Sequence, residues 1–431
     1  MNIAYPVRYD GERRRKDFQA DKEKKSRRIA YLNNEVATNS KNRIDSRKND
    51  SGLKKFVRKH FTGLSGIDPL FLITIIVLMI IGLVMLYSAS YPSAYFQGKE
   101  SNYYLVRQLI FAGVGFAFMA FFAVLDYHIL HKFAVIGMAV AMILMVVVLF
   151  MPSKTGIHRW IGVGDFGIQP SEILKLAVIL FLAHWASVYF YKMKEFKYGV
   201  LPTLIIWGAS SLLLFLEPHY SGIVIITLLI AVMMAIGGVK GKYFLIALVG
   251  LIILYIIANA TGMLSYAMNR MDGWGKALEY VNDDLWQDTW QTRNSIYAIG
   301  SGGLGGLGLG QSRQKYLYLP EPQNDFIFAI VCEELGLIGA IVILAIFAFL
   351  VYRGLKISIN AKDKFGTFLG VGITAQVGLQ VVLNILVITD WLPNTGISLP
   401  FFSYGGSSLI MLLAEMGIVL SVSKSAYISK R

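Results

Sequence analysis

Long runs of apolar residues, separated by short polar connections, extend through most of the chain after residue 68. A membrane hydrocarbon core is crossed by about 20 residues of α-helix. Each run has roughly that length and few charges, so each predicts a membrane-spanning helix. The pattern therefore predicts an all-α, polytopic membrane protein with ten transmembrane helices. The ten runs are 69–90, 106–125, 130–151, 171–191, 199–216, 220–238, 242–262, 326–352, 366–389 and 404–423.

Lysine and arginine are concentrated in alternate connections between these runs. The positive-inside rule places the basic connections, and both chain termini, in the cytoplasm. The connections on the opposite side are 91–105, 152–170, 217–219, 263–325 and 390–403. The basic residues of the cytoplasmic connections are Lys192, Lys194, Lys197, Lys240, Lys242, Arg353, Lys356, Lys362 and Lys364.

The segment 263–325 is the longest connection, and it lies between the seventh and eighth predicted helices. It is too polar for the membrane interior, and connections of this length are usually functional or disordered. It contains Trp274, Trp286 and Trp290, which favours an ordered structure. The sequence therefore predicts a large, folded extracellular loop.

The composition agrees with a membrane protein. Hydrophobic residues make up 55% of the 431 residues, charged residues only 16%, and the mean hydropathy is +0.55. A soluble protein carries roughly 25% charged residues, so these values exclude an ordinary soluble enzyme and a disordered protein. The one cysteine, Cys332, lies in an apolar run and provides no disulfide framework.

Most of the net charge of +14 lies in a basic N-terminal tail. Residues 1–66 hold 18 Lys and Arg against 8 Asp and Glu, and with few apolar residues the tail is predicted to be disordered. No apolar signal region occurs in its first thirty residues. Basic runs can bind nucleic acid, but a cytoplasmic anchor that touches anionic lipid is favoured over a nucleic-acid partner.

Charged residues beside or within the apolar runs are candidates for function. The segment from Gln169 to Lys175 predicts a helix start with Ser171 as its cap. Glu172 and Lys175 are three residues apart, so they share one helix face. A structural ion pair and a functional site are equally compatible with this spacing.

Other acids also occur near or within the apolar runs. Asp325 begins the eighth run, and Glu333 and Glu334 lie about 12 Å further along a helix. The two adjacent acids favour a hydrogen-bonded structural cluster over an ion pathway. The connection 217–219, with Glu217 and His219, is interpreted as a turn rather than a ligand site.

The glycine-rich stretch 300–310 matches the pattern GxGxxG at Gly300, Gly302 and Gly305. No strand precedes it and no βαβ unit surrounds it, so it does not indicate a dinucleotide site. Its glycines instead predict positive φ angles or a close approach of helices. No spacing typical of metal ligands or of a serine hydrolase occurs.

A series of motifs follows the same order along the chain: Arg159-Trp160-Ile161, Gln169-Pro170-Ser171-Glu172, Lys175, 298–303, Leu319-Pro320-Glu321, 325–329, 333–336, Gln380, Asn384, Pro393, Thr395-Gly396, Leu399-Pro400-Phe401 and 403–408. Together these motifs resemble the SEDS family, the FtsW/RodA/SpoVE membrane proteins of bacterial wall synthesis. The resemblance covers about residues 67–424, and the stretch 308–321 is more similar to FtsW and SpoVE than to RodA.

The resemblance implies a fold of ten transmembrane helices with both ends in the cytoplasm. It also implies a peptidoglycan glycosyltransferase that polymerises lipid II on the outer face of the bacterial cytoplasmic membrane. The expected partners are a class B penicillin-binding protein and other divisome proteins, since the FtsW-like members serve cell division. RodA-like elongation and sporulation stay open.

The essential acid of the family lies in a segment that aligns with residues 284–291. Asp284 and Gln291 match it, Trp290 stands where the family has Tyr, and the proline and both glycines of the family segment are missing. Asp284 is therefore the expected catalytic base, with Asp283 and Asp288 as rivals.

The expected substrate-binding residues follow from the chemistry of a diphosphate leaving group and from the matching motifs. Arg159 and Lys175, with Arg293 as a third candidate, would offset the diphosphate charge, and Glu172 would orient Lys175. A divalent cation, Mg or Mn, could assist, although the sequence has no firm site for it. The full expected set is Arg159, Glu172, Lys175, Gln291, Asp325 and Ser403.

Two other classes of function remain to be discriminated. A lipid II flippase would share the substrate and the polytopic fold, but no inverted repeat is evident. A scaffold that only recruits a transpeptidase would not need the acid. The predicted domains are the tail 1–66, the membrane domain 67–424 with its loop 263–325, and a cytoplasmic C-terminal tail 425–431.

Overall fold

The computed structural model describes residues 66–151, 159–163, 166–261, 273–279 and 283–428. The predicted basic tail lies outside these residues except for Gly66, and so do residues 429–431 of the predicted C-terminal tail. The helices are α1 (Pro69–Phe96), α2 (Tyr103–Val124), α3 (His128–Leu149), α4 (Pro170–Val188), α5 (Leu201–Leu216), α6 (Tyr220–Ile236), α7 (Gly241–Ala260), α8 (Asp283–Asp288), α9 (Trp290–Ser301), α10 (Ile327–Ile359), α11 (Lys364–Ile388) and α12 (Gly406–Ile428).

The predicted all-α polytopic fold is confirmed, because every predicted apolar run coincides with one of these helices. Within the described residues, eight helices are long and apolar enough to cross a membrane. Two further apolar helices, Tyr220–Ile236 and Gly241–Ile253 within α7, are shorter. The protein is therefore a multi-pass membrane protein, and the number of ten crossings stays a prediction.

The helices α11 and α12 form the centre of the bundle. In the most apolar stretch of each helix, 78% of the residues are buried inside the protein for α12 and 67% for α11, against 22% for α2. The helix α12 packs along α2, and α11 packs against α4, α6 and α10. A Cβ atom at Gly417 would lie 2.4 Å from the carbonyl oxygen of Met119. Small residues allow such close helix contact in membranes, where lipid provides no hydrophobic drive for association.

Helix boundaries follow local chemistry at several places. The Asp68 side chain accepts a hydrogen bond from the amide of Phe71, with Pro69 in the first turn of α1. At α4 the predicted cap is wrong: Gln169 is the N-cap residue and makes no side-chain cap bond. Pro170 takes the first helical position, which places Ser171 inside the helix, where its hydroxyl has no hydrogen-bond partner.

A short β-hairpin precedes α4, in a connection for which the apolar pattern predicted no strand. Strands β1 (Ile161–Val163) and β2 (Phe166–Ile168) pair antiparallel, with Ile161 opposite Ile168. The hairpin belongs to what we call the long-loop end of the bundle. This end comprises the described parts of the connections 97–102, 159–169, 217–219, 273–326 and 389–405.

The helix α10 is broken at Gly336, and the glycine-rich loop fills the break. Gly336 has φ 67° and ψ −172°, so the helical bonds across it are replaced. The carbonyl oxygens of Glu333 and Glu334 accept from the amides of Leu307 and Gly308, each at 3.0 Å. The freed amides of α10 are also satisfied: Leu337 N donates to Gly303 O at 2.9 Å, and Ile338 N donates to Leu304 O at 3.1 Å.

This arrangement confirms the prediction that the glycines of the stretch 300–310 serve positive φ angles or close helix approach. Gly303 and Gly306 have φ 53° and 78°, and a Cβ at Gly302 would lie 2.0 Å from the carbonyl oxygen of Cys332. The glycines therefore serve close backbone contact and positive φ.

The side chains of Glu333 and Glu334 form the predicted structural cluster. The Glu333 carboxylate accepts from the amide of Arg313 at 2.9 Å and from the hydroxyls of Ser301 and Ser312. The Glu334 carboxylate lies 2.8 Å from the ammonium of Lys315, which is fully buried. These bonds fix the turn 310–315 against α10, and they favour a structural role for both acids over an ion pathway.

Candidate functional site

The predicted pair of Glu172 and Lys175 is an ion pair at the start of α4. Lys175 Nζ lies 2.8 Å from Glu172 Oε2, and the two side chains are 5% and 13% exposed. The helix places them on one face because they are three residues apart. A buried pair of this kind is costly to desolvate unless further polar groups surround it, and such groups are present.

The short connection 217–219 brings further titratable groups to this place. Arg159, just before β1, donates from Nε to the carbonyl oxygen of Glu217 at 3.2 Å and from a terminal nitrogen to that of Pro218. The Glu217 side chain is buried, and neither carboxyl oxygen accepts a hydrogen bond. Burial raises the pKa of Glu217 to about 8, although the charge of Arg159 opposes this. Burial lowers the pKa of His219 to about 3, and the charges of Arg159 and Lys175 lower it further.

Two small cavities adjoin the ion pair. Both are lined by Glu172, Gln380 and Ser398. The first extends to Ser403, and the second extends to Lys175 and His219. The tertiary structure thus brings two predicted residues, Glu172 and Ser403, to the wall of one cavity although they are far apart in sequence.

The sequence analysis missed a buried polar pair beside the first cavity. Gln376 on α11 lines this cavity, and its Nε2 donates to both carboxyl oxygens of Glu415 on α12 at 3.1 and 2.9 Å. The sequence did contain an indication of this pair, since Glu415 is an acid within the last apolar run. An acid inside a membrane helix is a functional candidate by default.

The expected catalytic acid lies in the short helix α8, within the long loop. Asp284 is the second residue of this helix, while the rivals Asp283 and Asp288 occupy its two ends and are exposed. The following helix, α9, contains Arg293, which is 1% exposed. Its guanidinium donates to the carbonyl oxygen of Trp286 at 2.9 Å. This contact engages Arg293 inside the loop, and a contact of Arg293 with the diphosphate stays a prediction.

Gln291, Asp325 and Ser403 help to hold the long-loop end together. Gln291 Oε1 accepts from Asn394 at 2.8 Å, and Gln291 Nε2 donates to the carbonyl oxygen of Pro320 at 3.4 Å. The Ser403 hydroxyl donates to the carbonyl oxygen of Asn324 at 2.7 Å.

Asp325 is held through its backbone. Its carbonyl oxygen accepts from Asn384 Nδ2 at 2.7 Å, and a Cβ at Gly396 would lie 3.0 Å from its Oδ2. Asn384 also donates to the carbonyl oxygen of Ile397 at 2.6 Å, so one buried amide joins two connections. A contact of Gln291, Asp325 or Ser403 with substrate stays a prediction.

Among the described residues, no group of three or more His, Cys, Asp or Glu side chains could hold a metal ion. Glu172 lines both cavities and Lys175 lines the second, while Arg159 contacts the carbonyl oxygens of Glu217 and Pro218 in the adjoining connection. The predicted divalent cation stays a prediction.

Comparison with known families gives one match that covers most of the chain. The family model of FtsW/RodA/SpoVE, described as cell cycle proteins, matches residues 68–428. Stage V sporulation protein E of Bacillus subtilis is 40% identical over 366 residues, which cover 83% of this chain and 97% of the relative. A probable peptidoglycan glycosyltransferase FtsW of a Geobacter species is 36% identical over 367 residues, which again cover 83% of this chain and 97% of the relative.

Solved structures have the same fold. A chain of a peptidoglycan synthase complex, studied for the coordination of polymerization and crosslinking, superimposes with a TM-score of 0.68 and 23% identity. The match covers 84% of this chain and 99% of that chain. The rod shape determining protein RodA of Thermus thermophilus gives a TM-score of 0.60 and 22% identity, over 84% and 98% of the two chains.

Proposed function

Because this chain belongs to the FtsW/RodA/SpoVE family, we propose that it is a peptidoglycan glycosyltransferase that polymerises lipid II. The observation that carries the proposal is the buried pair of Glu172 and Lys175, with Arg159 close by, at cavities inside a membrane bundle. A polyprenyl diphosphate needs such a place, where cations meet the diphosphate and the lipid stays in the bilayer. The names of the relatives, probable peptidoglycan glycosyltransferase among them, support the same reaction.

In the proposed reaction, Asp284 is the general base. It takes the proton of the acceptor sugar 4-hydroxyl, whose oxygen forms the new glycosidic bond to the anomeric carbon of the donor. The bond from that carbon to the diphosphate oxygen breaks, and undecaprenyl diphosphate leaves with the electron pair. Lys175 and Arg159 offset the charge that develops on this leaving group, while Glu172 orients Lys175. Arg159 also donates to the carbonyl oxygens of Glu217 and Pro218, which hold its guanidinium beside the connection 217–219.

We further propose that the long-loop end faces the outside of the bacterial cytoplasmic membrane, with both termini in the cytoplasm. The basic connections at the other end support this orientation. A class B penicillin-binding protein and other divisome proteins are the proposed partners. Septal wall synthesis is the proposed process, and sporulation and RodA-like elongation are the alternatives. Loss of septa when the protein is depleted from cells would favour septal wall synthesis.

The contacts of Glu333 and Glu334 weaken the case for a flippase. These acids were the candidates for ion coupling, yet both carboxylates are bound by backbone amides of the loop, and Glu334 by Lys315 as well. A proton or ion pathway needs groups that can change partners. The polymerase is therefore the better-supported function.

The test is polymerisation of labelled lipid II by the purified protein in liposomes, with and without a class B penicillin-binding protein. The wild type is expected to form glycan polymer, and Asp284→Ala is expected to form none. Asp283→Ala and Asp288→Ala are matched controls in the same helix and should retain activity. Polymer from Asp284→Ala would overturn the assignment of the base. Translocated lipid II without polymer in the wild type would instead support the flippase.

A further inference from the structure

The side chain of Arg293 is the largest fully buried side chain described in the protein, and it lies within the polar long loop. Its guanidinium carbon lies 3.3 Å from the centre of the Trp286 ring. Its two terminal nitrogens donate to Trp286 O at 2.9 Å and to Thr289 Oγ1 at 3.3 Å. One guanidinium therefore holds both the ring and the backbone of Trp286.

These contacts join the two short helices of the loop. Trp286 is in α8 and Arg293 is in α9, with Thr289 as the link between them. A planar guanidinium suits this place because it stacks on an indole ring and keeps N–H donors in its plane for neighbouring carbonyls. A lysine ammonium cannot do both in one fixed geometry.

The helix α9 is itself fixed to the membrane bundle. The Ser295 hydroxyl donates to the carbonyl oxygen of Ile388 in α11 at 2.8 Å. Near its other end, Gly302 lies against the backbone of Cys332 and Glu333 in α10. Arg293 therefore extends from a helix that the bundle holds in place.

We propose that Arg293 is a positioning residue, which fixes α8, and with it the backbone of Asp284, to α9 through its stack on Trp286. This proposal rests on the proposed function, in which Asp284 is the base. The segment lacks the proline and the two glycines of the family motif. We call the contacts of Arg293 with Trp286 and Thr289 the clamp. In place of the missing proline and glycines, the clamp holds the acid-bearing segment with a helix, an indole ring and a buried cation.

The first test measures the clamp without any need for activity. Amide hydrogen exchange of residues 283–288 is compared in the full-length wild type, Arg293→Met and Lys276→Met. Lys276 is an exposed cation of the same loop, so its replacement controls for loss of positive charge. Arg293→Met should exchange at least roughly tenfold faster in this segment, because a local opening then breaks fewer contacts, while Lys276→Met should match the wild type.

The second test measures the effect on the reaction. A small displacement of a catalytic group can cost on the order of 100-fold in rate, so kcat of Arg293→Met should fall by about that factor while KM for lipid II stays within about twofold. Trp286→Phe keeps a ring and should stay near the wild type, whereas Trp286→Leu should match Arg293→Met. Arg293→Lys should recover only part of the activity.

A double-substitution cycle separates the clamp from a general loss of stability. If the two side chains act as one unit, Arg293→Met with Trp286→Leu should be no slower than either single variant. Multiplied losses, or an unchanged kcat in folded Arg293→Met, would overturn the positioning role. Unchanged exchange in residues 283–288 would overturn the clamp itself. If Arg293→Met does not fold, Trp286→Leu and Trp286→Phe decide by the same measurements. Wild-type protein without polymerase activity would refute the proposed function, while the exchange result would still decide the clamp.

Discussion

The backbones of Gly306 and Gly336 are in direct contact. A Cβ atom built on Gly336 would lie 2.2 Å from the amide nitrogen of Gly306, and one on Gly306 would lie 2.2 Å from the carbonyl oxygen of Glu334. The glycine-rich loop thus completes the hydrogen bonds of a broken membrane helix. Unpaired backbone groups are costly inside a membrane protein, so this contact fixes where the following turn 310–315 must lie.

Gly306→Ala should destabilise the protein by at least about 2 kcal/mol, because alanine is strained at positive φ and its Cβ would overlap the backbone of α10. The measurement is thermal denaturation in detergent followed by size-exclusion chromatography. Gly305→Ala is the matched control, since a Cβ there meets nothing within 4 Å. Equal thermal stability of the two variants would contradict the close packing at Gly306.

Replacement of Lys175 should separate structure from chemistry at the ion pair. Lys175→Met leaves the Glu172 carboxylate buried without its cation, which costs about 3–5 kcal/mol. The double variant with Glu172→Gln removes both charges and should recover much of this stability. If Lys175 offsets diphosphate charge, the stable double variant should still fail to polymerise lipid II. Recovery of both stability and activity would indicate a purely structural ion pair.

Lys315 should be essential for the fold of the turn 310–315. Its ammonium donates to Glu334 Oε1 and to the carbonyl oxygen of Gly310, each at 2.8 Å, and to the Ser88 hydroxyl at 3.1 Å. All three of its N–H groups therefore have acceptors. Lys315→Met should cost about 3 kcal/mol and should expose the loop to limited proteolysis. Arg313→Met removes an exposed cation two residues away and should leave the cleavage rate unchanged.

Glu217 should make the stability of the protein fall as the pH rises. Its pKa is raised from 4.5 to about 8, by burial first and despite the opposing charge of Arg159. Between these values the folded protein binds more protons than the unfolded chain, so stability decreases from about pH 5 to pH 8 and is level above that range.

Thermal denaturation of wild type and Glu217→Gln across this range checks the prediction. The variant cannot ionise at this position, so the stability of the wild type relative to the variant should decline with rising pH. In the folded protein His219 stays neutral, since its pKa is lowered to about 3, and its titration in the unfolded chain is common to both proteins and cancels in the comparison. Parallel curves for the two proteins would contradict the raised pKa of Glu217.

The helices that coincide with the apolar runs were predictable, because a membrane imposes length and apolarity on each spanning helix separately. The Glu172–Lys175 pair was also predictable, since three residues along a helix fix a shared face. The acids Glu333 and Glu334 were correctly interpreted as a cluster, but their partners, such as Lys315, were not identified. Those partners come from the loop 300–315, whose path depends on the break of α10 at Gly336. The hydrophobic periodicity of the sequence does not show where a helix is broken in this way.

Arg293 shows the limit of reasoning from residue types. As a cation near the expected catalytic acid, it was a candidate for the diphosphate, and only the tertiary structure showed that it is buried against Trp286. The hairpin before α4 was missed for a similar reason, because its three-residue strands are too short to show alternation. Short elements depend on their neighbours more than on their own sequence.

By itself, the sequence determined the membrane class, the helices and the family, because each of these is written in local hydrophobicity, local spacing or motif order. Only the tertiary structure decided which polar groups meet. It brought Glu172 and Ser403 to one cavity, paired Gln376 with Glu415, and engaged Arg293 inside the loop. The physical reason is that buried polar groups take partners from whichever helix or loop packs against them, and that choice depends on the packing of the whole bundle.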